Sequence, residues 1–317
     1  MNSTFAGVLA LSAAIGVAVP AAAAESRMEK ALRLEPGGQF TLKTDLGSVR
    51  LTGVDRSGAR LVITSKRGDL ADLLHFRFDE ETGAATVVAR RKHPISSFFS
   101  NNGNSVHFEI EVPTATRVNV DSSGGSITTA ALRGNVKLDT SGGAIAVGDQ
   151  TGDVFASTSG GSIALSHVKG KSHVETSGGG INGDAIDGPI DADTSGGSIE
   201  LDAVTGDIKA HSSGGGISIR EAGGRVEADT SGGSVQVAFA HANGRGGSIE
   251  SSGGGVSVSL DPTVGLSIDA SGDSVHSDVP ITVRGELSRS HMNGVLGAGG
   301  PTLRLRTSGG SVHIRAL

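Results

Sequence analysis

From residue 123 onward, apolar and polar positions alternate in short runs that return with a fixed period. The string Ser-Gly-Gly begins at Ser123, Ser141, Ser159, Ser177, Ser195, Ser213 and Ser231, each copy 18 residues after the last. Counting that Ser as position 0, position +4 is Ile127, Ile145, Ile163, Ile181, Ile199, Ile217 and Val235. Position +6 is mostly apolar, as at Val147, Leu165, Leu201, Ile219 and Val237. Alternation with a period of two marks a strand with one buried face. A second alternating run occupies +13 and +15, as in Val136 and Leu138, Val154 and Ala156, or Ile190 and Ala192. It follows a Gly at +11: Gly134, Gly152, Gly170, Gly188, Gly206 and Gly224. Each unit therefore predicts strand, turn near +10/+11, strand, and a turn at Ser-Gly-Gly.

Helical repeats are about 33–47 residues long, so an 18-residue unit points to β-solenoid coils. Further copies start at Ser252, Ser271 (with Asp273 replacing the second Gly) and Ser308, the last after a 37-residue interval with room for two coils. A left-handed hexapeptide helix wants apolar residues at every sixth position, but +10 and +16 are mostly polar, as at Lys169 and Asp193. The predicted fold is all-β: a single-stranded parallel β-solenoid, flattened and right-handed, with about 18 residues per coil and an irregular N-terminal cap. The Ala-rich +15 column implies a thin interior. The expected role of the corner glycines is to supply φ > 0. Seven regular coils at ~4.8 Å would span about 34 Å, and repeat counting suggests about ten to twelve coils in all.

Residues 25–116 are less regular. Candidate strands are Gln39–Lys43, Ser48–Thr52, Arg60–Lys66, His75–Asp79, Ala84–Arg90 and Val106–Val112, with a helical turn at Asp69–Leu73. Phe40, Phe76, Phe78, Phe98, Phe99 and Phe108 fall here, six of the nine Phe in the chain. This concentration suggests a thicker core than that of the coils, suited to an end cap that covers an open sheet edge. Ser96–Asn104 reads as a loop, and its Phe98 and Phe99 are the candidate partner contacts. At the other end, Val312–Leu317 reads as an uncapped edge strand, blunted by Arg304, Arg306, His313 and Arg315 or open to strand addition by a partner.

Residues 1–24 carry no charged side chain. The apolar run Phe5–Val19 leads to Pro20-Ala21-Ala22-Ala23-Ala24, the pattern of a signal peptide. The run is too short to span a bilayer, and no later segment is apolar enough. The predicted division is a signal peptide at 1–24, a cap with worn first coils at 25–116, and a repeat region at 117–317. The predicted location is the periplasm, the cell surface or the medium.

Composition narrows the chemistry. Gly makes up 50 of 317 residues, about twice the ordinary share of ~7%. The absence of Cys excludes disulfides, zinc–thiolate sites and thiol catalysis. A net charge of −6 argues against a nucleic-acid partner.

The run of [Thr/Ser]-Ser-Gly-Gly-Ser-[Ile/Val] units resembles the bacterial putative-adhesin family of β-strand repeat proteins. The ending from Gly294 through Gly297, Gly299, Leu303, Leu305 and Thr307 to Val312 looks like that family's closing pattern. The resemblance covers about Gln39–Ile314. It implies an envelope or secreted β-solenoid and carries over no catalytic residue.

No nucleophile elbow, P-loop or His-Glu-x-x-His is present. Gly178-x-Gly180-x-x-Gly183 matches dinucleotide spacing but precedes a strand, not a helix. His167, His173 and His211 are scattered over outward or turn positions. The residue two before Ser-Gly-Gly is mostly acidic: Asp121, Asp139, Glu175, Asp193, Asp229, Glu250 and Asp269. The Gly-Gly-x-Gly-x-Asp calcium motif is absent, so the predicted account is a solvated column whose acids bond nearby turn N–H groups. Ser157 and His211 interrupt that column. The Thr-Ser pairs predict hydroxyl ladders rather than a flat water-ordering face. Arg90-Arg91-Lys92-His93 reads as a solvated strand end. No catalytic, metal or cofactor residue is assigned. The predicted function is an exported, non-catalytic binding or structural module whose partner is a protein or an envelope or surface polymer. The alternatives are a polysaccharide hydrolase or lyase on a β-helix, which the absence of Trp and Tyr disfavours, and a regulatory protein acting by strand addition.

Overall fold

The computed structural model describes residues 26–66, 68–92 and 106–317. The predicted signal peptide, and the loop with Phe98 and Phe99, lie outside the described residues. Twenty-nine strands form one 14-stranded and one 15-stranded sheet. The helix among the described residues is the single turn Leu70–Leu73, capped by Asp69. Twelve coils each give one strand to each sheet, so every coil is a flattened two-strand loop.

The predicted in-register stack is present. Ile127, Ile145, Ile163, Ile181, Ile199, Ile217 and Val235 form one buried column of the first sheet. On the second sheet, Leu138, Ala156, Val174, Ala192, Ala210 and Ala228 form another. The small side chains of this column let the two sheets close over a thin interior.

The expected φ > 0 is found at three of the +11 glycines, but the Ser-Gly-Gly glycines have a different reason. None of the Ser-Gly-Gly glycines of the regular coils has φ in the left-handed region. The constraint is close stacking. A Cβ on Gly161 would lie 2.1 Å from the Gly143 carbonyl oxygen, and one on Gly197 would lie 2.0 Å from that of Gly179. The first glycine is freer: a Cβ on Gly160 would meet nothing nearer than 3.6 Å. Positive φ belongs to the opposite corner, where Gly152, Gly170 and Gly188 at +11 have φ of 126°, 139° and 149° and a run of non-glycines is left-handed as well. Ala131, Asp149, His167, Ala185, Ala203 and Glu221, all at +8, have φ between 48° and 58°.

A hydroxyl ladder closes the Ser-Gly-Gly corner. Thr158 Oγ1 donates to the Gly143 carbonyl of the preceding coil (2.8 Å) and accepts from the Gly161 N–H of its own coil (3.3 Å). Thr176, Thr194 and Thr230 repeat both bonds, and Ser212 and Ser251 do so with a serine hydroxyl. These hydroxyls are buried, so each bond satisfies a backbone group that water does not reach.

The two ends depart from sequence order. Gln39–Thr44 and Ser48–Val54 form the first coil in the chain but the second in space. They lie between the coil of Ala84–Arg91 and Val106–Pro113 and that of Arg117–Ser122 and Ile127–Leu132. The C-terminus mirrors this arrangement. Thr302–Thr307 and Ser311–Ala316 insert between the coil of Gly247–Ser251 and Val256–Leu260 and that of Leu266–Ser271 and Ser274–Ser277. The expectation that Val312–Leu317 is an open edge is therefore corrected: Ser311–Ala316 is paired on both sides, which removes it as a site of strand addition. The 37-residue interval holds the rest of the outer coil, an antiparallel pair (Ile281–Leu287 and His291–Leu296) and the first strand of the inserted coil, not two coils.

Antiparallel strands cover the N-terminal edges too. Ala59–Ser65 and Ser26–Leu32 extend the first sheet, and Leu74–Glu81 extends the second. Phe40 and Phe108 are buried under this cap, and Phe76 stacks on Phe78 at 6.1 Å.

Gly161→Ala is expected to lower unfolding stability by about 1–3 kcal/mol or more, because backbone must move to admit the methyl group. Gly160→Ala is expected to stay within about 0.5 kcal/mol. Urea unfolding of the two variants checks the contrast, and equal losses would refute the stacking account.

Candidate functional site

The second sheet turns positions +14 and +16 outward, and the register stacks them in two adjacent columns. One runs His173, Asp191, Lys209, Glu227, Ser248; the other runs Glu175, Asp193, His211, Asp229, Glu250. From Asp191 and Asp193 onward they line an open groove of about 330 Å³ that also includes His211, Asp229 and Glu250. Phe155 precedes His173 in the first column. It is 42% exposed, and its ring lies 6.4 Å from the His173 ring.

Most of the charges on this face are paired. His173 Nδ1 lies 3.4 Å from Asp191 Oδ2, and His211 Nδ1 lies 3.1 Å from Asp229 Oδ2. Ser248 Oγ donates to Glu250 Oε1 at 2.8 Å. Glu175, Lys209 and Asp193 have no ion pair or hydrogen bond among the described residues; the first two are exposed, whereas Asp193 is half-buried. Partial burial, then the like charges of Asp191 and Glu175, push its carboxyl above the usual carboxylate range. His211 and His173 pull the other way without overcoming this.

The acidic column follows prediction in part. Asp121 and Asp139 are stacked neighbours, and burial followed by the charge of Asp121 raises the Asp139 carboxyl, against the pull of Lys137. The predicted turn bonds belong elsewhere. Among the described residues, no acid of this column accepts a backbone N–H; Asp153 and Asp207, at the opposite corner, accept from Lys171 and Arg225. Asp269 does not stack on Glu250, because the inserted coil puts Arg304 and Arg306 between them, 3.5 and 3.6 Å from Asp269.

The insertion near Ala242–Gly246 is filled rather than concave. Asn243 is buried and its Nδ2 donates to the carbonyls of Ala222 and Gly224. The Ala242 N–H donates to Asp261, which also accepts the Thr263 hydroxyl and N–H. These bonds, the Thr263 hydroxyl first, lower the Asp261 carboxyl to about 2. In the basic stretch, Arg90 pairs with Asp45 at 2.6 Å.

Reading along the chain misses the grouping of His173, Asp191 and Asp193. Their spacings match no local metal motif, and only a register of 18 makes them neighbours. The period itself is the signal that finds them.

A family model, Toastrack DUF4097, matches residues 75–315. The chain belongs to that family, in line with the resemblance carried by its Ser-Gly-Gly units. Solved structures resembling it include a putative adhesin from Bacteroides fragilis (11% identity, 91% of this chain and 97% of that chain, TM-score 0.37). Another is a putative adhesin from Parabacteroides merdae (10% identity, 91% and 96%, TM-score 0.38). A third is a putative lipid binding protein from Parabacteroides distasonis (13% identity, 91% and 96%, TM-score 0.31). No residue role is transferred from them. No curated protein matches the sequence. Among the described residues, no helix is long and apolar enough to cross a membrane.

Two consequences follow from these charges. A carboxyl raised by folding costs stability once pH exceeds its unfolded value. In metal-free buffer, Asp193→Asn should therefore raise the Tm at about pH 7 and leave it unchanged near pH 3. A lower Tm at neutral pH would refute the reading of Asp193 as an unsatisfied charge. Asp261 has the opposite sign: its contribution is present above the unfolded carboxylate range near pH 4 and is lost as pH falls toward about 2. Amide-exchange protection at Ala242 should drop over that window in the native chain. In Asp261→Asn it should be lower from the start and independent of pH there.

Proposed function

We propose that this protein is an exported, non-catalytic module of the bacterial cell envelope that binds another envelope component through the outer face of the second sheet. The supporting observation is the pair of outward columns from His173 and Glu175 to Ser248 and Glu250. They concentrate acids and imidazoles on a frame whose in-register stack holds each side chain at a fixed spacing. A parallel stack has no intrinsic need for ionisable groups at these positions, since like charges at coil spacing repel. A broad, charged face suits recognition of a polymer or a protein surface better than enclosure of a small substrate. Residues 1–24 supply export, and Phe98 and Phe99 remain proposed contacts in addition to the sheet face.

Expressed from its full gene in a bacterial host, the chain should be recovered outside the cytoplasm with Glu25 at its N-terminus. The purified chain should bind isolated envelope fractions saturably. The combined variant Asp191→Asn, Asp193→Asn, Asp229→Asn, Glu250→Gln should lose at least about tenfold in affinity, about 1.4 kcal/mol. Retention in the cytoplasm would overturn the export reading. Unsaturable binding, or full affinity in the combined variant, would overturn the face as the binding surface.

A further inference from the structure

We propose that His173, Asp191 and Asp193 form a binding site for a divalent transition ion of the zinc class on the outer face of the second sheet. The inference deepens the reading of that face as the working surface. One ligand atom from each of the three residues can be chosen so that all lie within 4.8 Å of one another. His173 Nδ1 and Asp191 Oδ2 are 3.4 Å apart. Donors held about 2.0–2.1 Å from a tetrahedral zinc sit about 3.3–3.4 Å from each other, so this pair already has the separation that one ion requires.

The donor set selects the ion. Calcium and magnesium take oxygen ligands, whereas an imidazole beside carboxylates suits zinc and its first-row neighbours. The imidazole also separates this group from the purely acidic neighbours Asp121 and Asp139.

The site is preorganised. His173 and Asp191 are directly paired in register on adjacent strands, and Asp193 lies two residues beyond Asp191 on the same face. All three are half-buried, which reduces the side-chain freedom lost on binding. Asp193 stands without a partner among the described residues, between Glu175 on one side and His211 on the other. A cation between Asp191 and Asp193 would relieve their mutual repulsion. Three protein ligands leave a position open to a carboxylate, phosphate or hydroxyl of a partner, the arrangement of open rather than closed zinc sites.

The test uses the full chain without a polyhistidine tag, stripped with chelator and titrated calorimetrically with zinc chloride. A parallel titration with cobalt chloride is read by visible absorbance. The expected result is one zinc per chain, cobalt bands of four-coordinate type, and at least tenfold weaker zinc binding in both His173→Ala and Asp193→Asn. His75→Ala, a change at an exposed histidine of the N-terminal cap, should bind as the native chain does. Absence of saturable zinc binding would overturn the proposal. Native affinity in His173→Ala would also overturn it, as would stronger retention of calcium than of zinc. Because the side chains point outward, circular dichroism should show both variants folded. Envelope binding is measured separately: if it persists with no zinc binding, only the ion site is overturned, and if zinc binds without envelope binding, only the envelope reading fails.

Discussion

The buried hydroxyl before each Ser-Gly-Gly is the interaction on which the coils depend. A flattened coil must reverse direction within a few residues, and at that corner backbone groups point into a space too narrow for water. Thr158 illustrates the solution: one hydroxyl takes the Gly161 N–H of its own coil and gives its proton to the Gly143 carbonyl of the coil before. The bond works only if the corners stack closely, and close stacking is what forbids a Cβ on the second glycine. Hydroxyl and glycine are thus one device, which accounts for their joint recurrence every 18 residues. An unmade buried hydrogen bond costs about 1–3 kcal/mol, so a ladder repeated over many coils contributes cumulatively to holding the stack in one register.

Register then decides what the outer faces present. In a parallel in-register stack each residue neighbours its equivalents in the adjacent coils, so a column can only be diversified one coil at a time. Along the second sheet that diversification is uneven. Near Asp121 and Asp139 the +16 column is simply acidic, while from His173 to Glu250 acids, imidazoles, a lysine and a serine are mixed. The interior columns beneath are Ile, Val and Ala in the same coils, except at Ser172 and Gly247. Variation at outward positions, over a largely constant core, is where a repeat protein can acquire a specific surface without altering its fold.

The coil was legible in the sequence because it follows from local rules: a period of two within strands, glycine at the corners and a fixed repeat. The N-terminal strands were legible for the same reason, apart from Ser26–Leu32, whose mixed polar pattern does not announce a strand. Coil order at the two ends was not legible, because inserting Thr302–Ala316 one coil back changes neighbours without changing alternation. The glycine argument expected positive φ at both corners, and it holds only at the +11 corner, at Gly152, Gly170 and Gly188. The left-handed non-glycines there, from Ala131 to Glu221, share no side-chain type that would mark the conformation. The grouping of His173, Asp191 and Asp193 escaped motif reading because its logic runs across the stack rather than along the chain.

Asp193 separates what the fold needs from what it tolerates. The corner hydroxyls from Thr140 to Ser251 are satisfied and the inward columns are mostly apolar, with Thr129, Gln150 and Ser172 as buried polar exceptions, so the stack gains nothing from a half-buried carboxylate with like charges on two sides. The coils offer several ways to remove that cost: Ser157 fills the same column two coils earlier, and Arg306 fills it next to Glu250. A lysine is available one coil away, at Lys209, yet it stands in the column beside Asp191 rather than against Asp193. The charge is therefore retained within a framework that could neutralise it by a single substitution. Strain of this kind in an otherwise consistent structure is the expected mark of a site shaped by something outside the chain.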